Sequence, residues 1–410
     1  MTTKTPDRAY AWSGALFWAA AASWAKLEQA RHLQNQAYDL GIYASVLWNT
    51  AHGAWFRDGV KGVNYLADHF SPGLLLLVPF ARMLGVAQCV ALAAAIPAVH
   101  RLGWLATKDR VAAACLAAAF AASPLLLDAA RYDAHAVAFA VPLLAWALVR
   151  FKEQRPREAL LLLALAGTLQ EDMWLCAAAA AWWAGRRRAS LAFLAAFAAA
   201  LAAMRLIGGG WTPAHWDFYS FSNLGLETRA RGLARLLLPL AGGPLFAGKD
   251  ALPLLVPFAY TWLGDNPHQQ SFNLHYGAAL LPFAFLTVKR PRLALVLTLC
   301  WLPFHKRWFH PAPAGRLDAV RDIARLLPAE APLAASFNLV PPLALRPTAR
   351  LWRGEDLPGF WTALDASPAG FAPDPARDAR VRDFVAARRE RVVFERAGLF
   401  LLKPADALLK

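Results

Sequence analysis

Charge is scarce in this chain, and acid scarcer still: Asp and Glu together number 28 among 410 residues, and charged residues of all kinds make up 17%. Soluble domains carry roughly a quarter charged residues, so an ordinary soluble enzyme is excluded. Cysteine is also scarce. Cys89, Cys115, Cys176 and Cys300 all lie inside apolar runs without paired spacing, which excludes a disulfide framework and a metal knuckle. Internal repeats and low-complexity linkers are missing as well. What is present is apolar surface: 58% of residues are hydrophobic and the mean hydropathy is +0.33, which makes a bilayer the natural solvent. The net charge of +15 would suit nucleic acid, but the basic residues fall in short clusters between apolar runs. That is the pattern of membrane flanks, and no nucleic-acid partner is expected.

Those clusters predict a topology. Lys4 and Arg8; Arg101, Lys108 and Arg110; Arg150, Lys152, Arg155 and Arg157; Arg186 to Arg188; Lys249; and Lys289, Arg290 and Arg292 fall at alternate turns, as the positive-inside rule asks. The N-terminus is therefore expected in the cytoplasm. Apolar runs near 11–27, 88–104, 111–127, 134–150, 159–169, 173–184, 189–207, 233–248, 251–263, 274–288 and 293–304 predict an all-α polytopic membrane protein of about 11 transmembrane helices. The first run is read as a retained span, because too few basic residues precede it for a cleaved signal. Two half-length runs flank Gln170, Glu171 and Asp172.

The loop after the first span predicts two helices lying on the outer membrane face. Over Tyr38–Gly53 apolar and aromatic residues recur at three and four, Asp39 can cap the start and Gly53 can end it. Over Gly73–Leu84 the run is apolar but too short to span, with Ser71 to cap it and Pro72 in its first turn. The same face gathers Asp68 and His69; Arg131, Tyr132, Asp133 and His135; Glu171 and Asp172; and Asp265, Asn266, His268 and His275. Ionisable groups this deep in apolar sequence are costly, and a shared polar cavity opening outward explains them together.

Each has a plainer reading. Asp39 reads equally as a helix cap, and Asp68 and His69 serve as well to start the next helix. Asp133 and His135 suit an acid/base or metal pair where the backbone is extended, and point apart in a helix. Glu171 and Asp172 adjoin a break between half-spans, where buried acids are functional or paired. His275 reads also as a core histidine. Arg131 and the group Arg229, Arg231 and Arg235 suit a phosphate or lipid headgroups. Trp48, Trp55, Trp211, Trp216 and Trp262 read as an interfacial belt.

Beyond residue 304 the pattern changes to a small α/β domain over 305–410, with helices at Arg316–Leu327 and Asp378–Arg389 and strands at Leu333–Phe337, Arg391–Glu395 and Gly398–Lys403. Span counting puts it outside the cytoplasm. It carries no phosphate-binding glycine loop and no nucleophile elbow, so binding an acceptor or partner suits it better than chemistry.

The stretches Tyr38–Gly53 (YDLGIYASVLWNTAHG), Asp68–Pro72 (DHFSP), Asp133–His135 (DAH), Glu171–Asp172 (ED) and His275–Tyr276 (HY) resemble the bacterial membrane family catalogued as domain of unknown function 2079. That family resembles in turn the GT-C superfamily of integral membrane glycosyltransferases, which use polyprenyl-phosphate sugars. The resemblance implies a GT-C-like transmembrane domain over 1–304, a bacterial inner-membrane location and juxtamembrane helices in the first external loop. It also implies an essential acid there, at Asp39, although the acidic pair common in such enzymes is here Asp39-Leu40. The implied reaction moves a sugar from a polyprenyl-phosphate donor to a cell-envelope acceptor. Asp39 would be the base, and Asp68, His69, Arg131, Asp133, His135, Glu171, Asp172 and His275 would line the pocket among membrane lipids. Some enzymes of the class bind a divalent ion (Mg or Mn) and others none, so that cofactor is left open. A transporter or lipid flippase is the alternative, since charged residues at broken spans serve solutes too.

Overall fold

The computed structural model describes residues 7–209, 225–305, 310–311, 313–366 and 374–405. Lys4, Trp211 and Trp216, named above, lie outside the described residues. The chain divides into two compact units, one of residues 1–23, 66–74 and 85–306, the other of 24–65, 75–84 and 307–410.

The first unit is helical. Helices Ile96–Thr107 and Arg110–Ala121, Ala136–Lys152 and Pro156–Gly167, and Met173–Trp183 and Arg187–Gly208 form neighbouring pairs; Pro291–Trp301 packs on Arg110–Ala121, and Leu252–Leu263 on Met173–Trp183. Ala113, Ala138, Ala145, Ala177 and Ala180 of these helices are buried. Small side chains let helix backbones approach where lipid offers no hydrophobic drive. Tight turns join the pairs, and the turns at one end carry the basic clusters. Arg101 Nε donates to Glu153 at 2.7 Å, Lys152 and Lys289 lie 3.8 and 3.3 Å from Asp250, and Arg292 pairs with Asp109 at 2.8 Å. The alternation of basic turns read from the sequence is thus a spatial grouping.

Among the described residues two helices are long and apolar enough to cross a membrane, Pro72–Thr107 and Arg187–Gly208, or three if Arg110–Ala121 and Pro124–Arg131, bent by 42°, make one span. Met173–Trp183 and Pro291–Phe304 are apolar but shorter. Proline and turn breaks divide the other expected runs. The separate interfacial helix expected at Gly73–Leu84 is corrected: the backbone does not stop at Gly85 but runs as a 3-10 turn Pro72–Met83 into Leu84–Ala93. Ser71 does not cap it either, since its buried hydroxyl makes no hydrogen bond among the described residues.

The second unit holds a five-stranded mixed sheet in the order Ala349–Leu351, Leu333–Ala335, Trp361–Asp365, Leu399–Leu402, Val392–Arg396. The first three strands are parallel and the last two antiparallel to their neighbours. The helices Arg316–Leu326 and Pro375–Ala386 match the expected ones within a few residues, whereas the strands at 349–351 and 361–365 have too weak an apolar alternation to read beforehand. Buried Arg316 pairs with buried Asp365, whose Oδ2 also accepts from Asn338 Nδ2 at 2.7 Å. Residues 24–65 belong to this unit. Their helix is Ile42–Ala51, and it is no amphipathic surface helix: Ile42 to Leu47, Asn49 and Thr50 are all buried. Ser45 Oγ accepts from Gly59 N at 2.9 Å, and Asn49 Nδ2 donates to Pro347 O at 3.4 Å.

Candidate functional site

Three backbone and side-chain contacts dock the loop 69–73 on the turn 168–172. Gly73 N donates to Thr168 O at 2.8 Å, Phe70 N to Glu171 Oε2 at 3.0 Å, and His69 Nδ1 lies 2.9 Å from Glu171 Oε1. Position 73 has to be glycine here, because a Cβ would stand 2.5 Å from Thr168 Oγ1 and 2.9 Å from its carbonyl oxygen. The half-span break expected at Glu171 and Asp172 is therefore a docking site for His69.

The pair's electrostatics follow. Burial disfavours a charged His69, but the Glu171 carboxylate beside it and Asp68 next in sequence outweigh that and raise its pKa to about 9. Burial likewise works against the Glu171 anion, and the His69 cation overcomes it, holding that carboxyl below its ordinary range. Asp172 goes the other way. Burial and the Glu171 charge push it up to about 7, against a hydrogen bond from Tyr260. Its Oδ1 is buried with no hydrogen bond among the described residues. Two adjacent acids thus hold different protonation states at neutral pH.

A histidine stack adjoins this pair. Gln88, a polar residue in an apolar run, donates to Ala129 O at 2.8 Å and accepts from His135 N at 2.7 Å, fixing the loop between them. His135 is extended (φ −141, ψ 142) and caps the helix Ala136–Lys152, its Nδ1 lying 3.4 Å from Val137 N. The extended backbone at Asp133–His135 is the one the paired reading required, and Asp133 is only 2% exposed. The His135 ring lies flat on His275, centroids 3.7 Å apart, and edge-on to His69 at 6.5 Å. Tyr132 and Tyr276 close round His275 at 5.3 and 4.1 Å. Asn266 caps the short turn Pro267–Gln270 and reaches Tyr276 Oη at 3.4 Å, so part of the group at 265–268 comes to the same place.

The third element was missed from the sequence. Asp128, buried, is met by Arg235, by His305 at 3.2 Å and by Arg131 at 3.7 Å. Two arginines and a histidine thus meet at one carboxylate. Arg235 is 10% exposed and its Nε has no acceptor among the described residues. The i,i+3 spacing of Asp128 and Arg131 was a visible signal; Arg235 and His305 come from far along the chain. The other arginines weighed with Arg235 go elsewhere: Arg229 donates to Trp262 O at 3.2 Å and lies over its ring, and Arg231 pairs with Glu227 at 2.6 Å.

Asp39 belongs to the second unit, half-buried. It does not cap Ile42–Ala51, whose first turn has Gly41 before it and no side-chain cap. Its backbone sits instead at φ 64, ψ −95, a costly region for a residue with a Cβ. Gly41 is a glycine because a Cβ there would meet Val340 Cγ1 at 2.9 Å. Tyr38 Oη lies 3.4 Å from Arg353.

Residues 29–223 match one family model. It is that of the "Predicted membrane protein (DUF2079)" family. The DUF2079 match takes in Asp39, Asp68, His69, Arg131, Asp133, His135, Glu171 and Asp172, while His275 lies beyond it. No curated protein matches the chain in sequence. In fold the chain is similar to ArnT from Cupriavidus metallidurans, solved bound to undecaprenyl phosphate, with a TM-score of 0.57 and 12% identity over 94% of this chain and 97% of that one. Both findings agree with the resemblance drawn from the sequence: the family match is to a predicted membrane protein family, and the chain shares the fold of that solved structure. The described residues contain no group of three or more His, Cys, Asp and Glu arranged to hold a metal ion. His135 and His275 are stacked face to face instead of converging, so the donor set does not fit a resident metal.

Proposed function

We propose that this chain moves a sugar from a polyprenyl-phosphate donor to a cell-envelope acceptor at the outer face of the bacterial inner membrane. The observation that carries the reading is the gathering of Arg131, Arg235 and His305 around the buried carboxylate of Asp128, on the helix that leads into the loop of His135. A phosphate there would meet bidentate donors. The fold likeness to a protein holding undecaprenyl phosphate supports the donor class.

In this reading an acceptor hydroxyl or amine attacks the anomeric carbon while the bond from that carbon to the phosphate oxygen breaks. Arg131 and Arg235 hold the departing phosphate, which gains negative charge as it leaves. The acceptor's proton goes to a carboxylate, assigned to Asp39, whose strained backbone suits a functional acid better than a cap. Asp68, His69, Asp133, His135, Glu171, Asp172 and His275 line the sugar and acceptor pocket. With His69 charged and Asp172 near half protonated at neutral pH, the pocket offers both donors and acceptors to sugar hydroxyls. The reading puts the N-terminus in the cytoplasm and the C-terminal sheet domain outside it.

Native mass spectrometry of gently solubilised protein tests the donor class. A bound polyprenyl phosphate or its glycosylated form is expected; repeated absence, with ordinary phospholipids in its place, moves the assignment to a transporter or lipid flippase. Asp39→Asn is expected to abolish turnover with bound lipid and thermal midpoint unchanged. Full activity in that variant removes the proposed base.

A further inference from the structure

The opposite end of the same helices carries a second site. A pocket of about 210 Å³ is lined by Lys152, Arg186 and Lys249 around Trp183, with Gln154 and Pro156 at its side. It is built where three turns meet: the end of Ala136–Lys152 before Pro156–Gly167, the end of Met173–Trp183 before Arg187–Gly208, and the short turn Gly248–Ala251.

The charges there are unevenly matched. Asp250 is shared among Trp183 Nε1 at 3.1 Å, Lys289 at 3.3 Å and Lys152 at 3.8 Å, while Arg150 is taken by Glu153 at 2.6 Å. Arg186 and Lys249 have no carboxylate within ion-pair distance among the described residues. Collecting three cations at one pocket costs repulsion that an anionic guest offsets. The level of the pocket indicates which guest. Arg187–Gly208 is apolar enough to cross a membrane and starts at the residue after Arg186, so the pocket lies where apolar helix gives way to charge. Trp183 ends its helix with Lys152 Nζ 5.0 Å from its ring, the amphipathic placement of an interfacial tryptophan. Basic pockets between helices at this depth suit lipid phosphates.

We propose that the Lys152–Arg186–Lys249 pocket binds the phosphate of an anionic phospholipid headgroup, separately from the buried site at the other helix ends. The recognised chemistry is a phosphate ester whose acyl chains lie along the apolar helices.

The test uses the full chain in detergent, titrated with phosphatidylglycerol, with phosphatidylcholine and with inorganic phosphate, and read by native mass spectrometry and thermal shift. Wild type is expected to retain phosphatidylglycerol in preference to phosphatidylcholine. At about 1 kcal/mol per basic residue near a headgroup, the double variant Arg186→Gln/Lys249→Gln loses about thirtyfold in apparent affinity for phosphatidylglycerol. Both side chains are exposed, so its lipid-free midpoint stays at the wild-type value. Arg186→Lys keeps the preference as the charge-retaining control, and Lys249→Gln alone is the variant read if the double variant misfolds. Equal retention of the two lipids, or undiminished phosphatidylglycerol binding in the Gln variants, overturns the proposal. Protection by inorganic phosphate matching that by phosphatidylglycerol also overturns it, in favour of a soluble phosphate ligand.

Discussion

The two ends of the helices in the first unit handle charge in opposite ways. At one end His69, Glu171, Asp172, His135 and His275 are withdrawn from solvent, and each is held by an element distant in sequence. At the other, Arg150 and Arg155 pair with Glu153 and Glu158 close by, Arg292 reaches Asp109 across 183 residues, and Arg155, Arg186 and Arg292 are exposed. A buried charge is expensive unless it is paired, so each pairing at the first end carries more stability than an exposed pair at the second. The difference separates charge held by partners inside the fold from charge carried at its surface.

Removing one acid from each end is the strongest way to break the contrast. Glu171→Gln leaves a buried His69 and the Phe70 amide without their charged acceptor, and a loss of about 3–5 kcal/mol is expected in urea or thermal unfolding. Glu158→Gln removes the partner of Arg150 and Arg155 at a 43% exposed carboxylate and is expected to cost under ~1 kcal/mol. Comparable losses at the two ends would end the distinction.

Raising the pH sharpens it without mutation. His69 has a folded-state pKa of about 9, above the unfolded 6.5, so its pairing with Glu171 stabilises fully below 6.5 and is lost as pH climbs through 9. Asp172, raised from 3.8 to about 7, adds a decline of the same sign at lower pH. The thermal midpoint is expected to fall between pH 6.5 and 9.5, by on the order of 2 kcal/mol in stability, and His69→Gln should flatten that limb. A wild-type midpoint constant over that window would show that the pair is not charged. Gly73→Ala comes next in size. The added methyl has to displace Thr168 and loosen the docked loop, costing about 1–2 kcal/mol and flattening the same pH limb.

What the sequence disclosed follows from what is local. The basic turns and the helices at 316 and 375 are read from neighbours a few residues apart, and the fold repeats them. The resemblance over DHFSP, DAH and ED singled out His69, His135 and Glu171, which the fold brings near one another. The pairing of His69 with Glu171, 102 residues away, left no periodic trace, nor did the meeting of Asp128 with Arg235 across 107. The cap reading of Asp39 fails for a physical reason: an acid before an apolar run normally caps it, and only the backbone dihedrals reveal a positive-φ residue in its place. The helix after it looked amphipathic because Ser45, Asn49 and Thr50 are polar, yet these are buried and bonded to Gly59, Pro347 and Phe56.

The smallest effect belongs to Arg292 and Asp109, 68% and 41% exposed and 2.8 Å apart at the basic end. Asp109 does two things. Its carboxylate pairs with Arg292, and its Oδ1 also accepts from Val111 N at 2.8 Å and Ala112 N at 3.2 Å as the cap of Arg110–Ala121. If exposed ion pairs add little, Arg292→Ala should cost at most ~0.5 kcal/mol, while Asp109→Ala should cost about 1 kcal/mol through the lost cap alone. In the double variant the two losses then add. A coupling above ~1 kcal/mol in that cycle would mean the basic end is held by its ion pairs after all, and that the flank is a structured part of the protein like its buried counterpart.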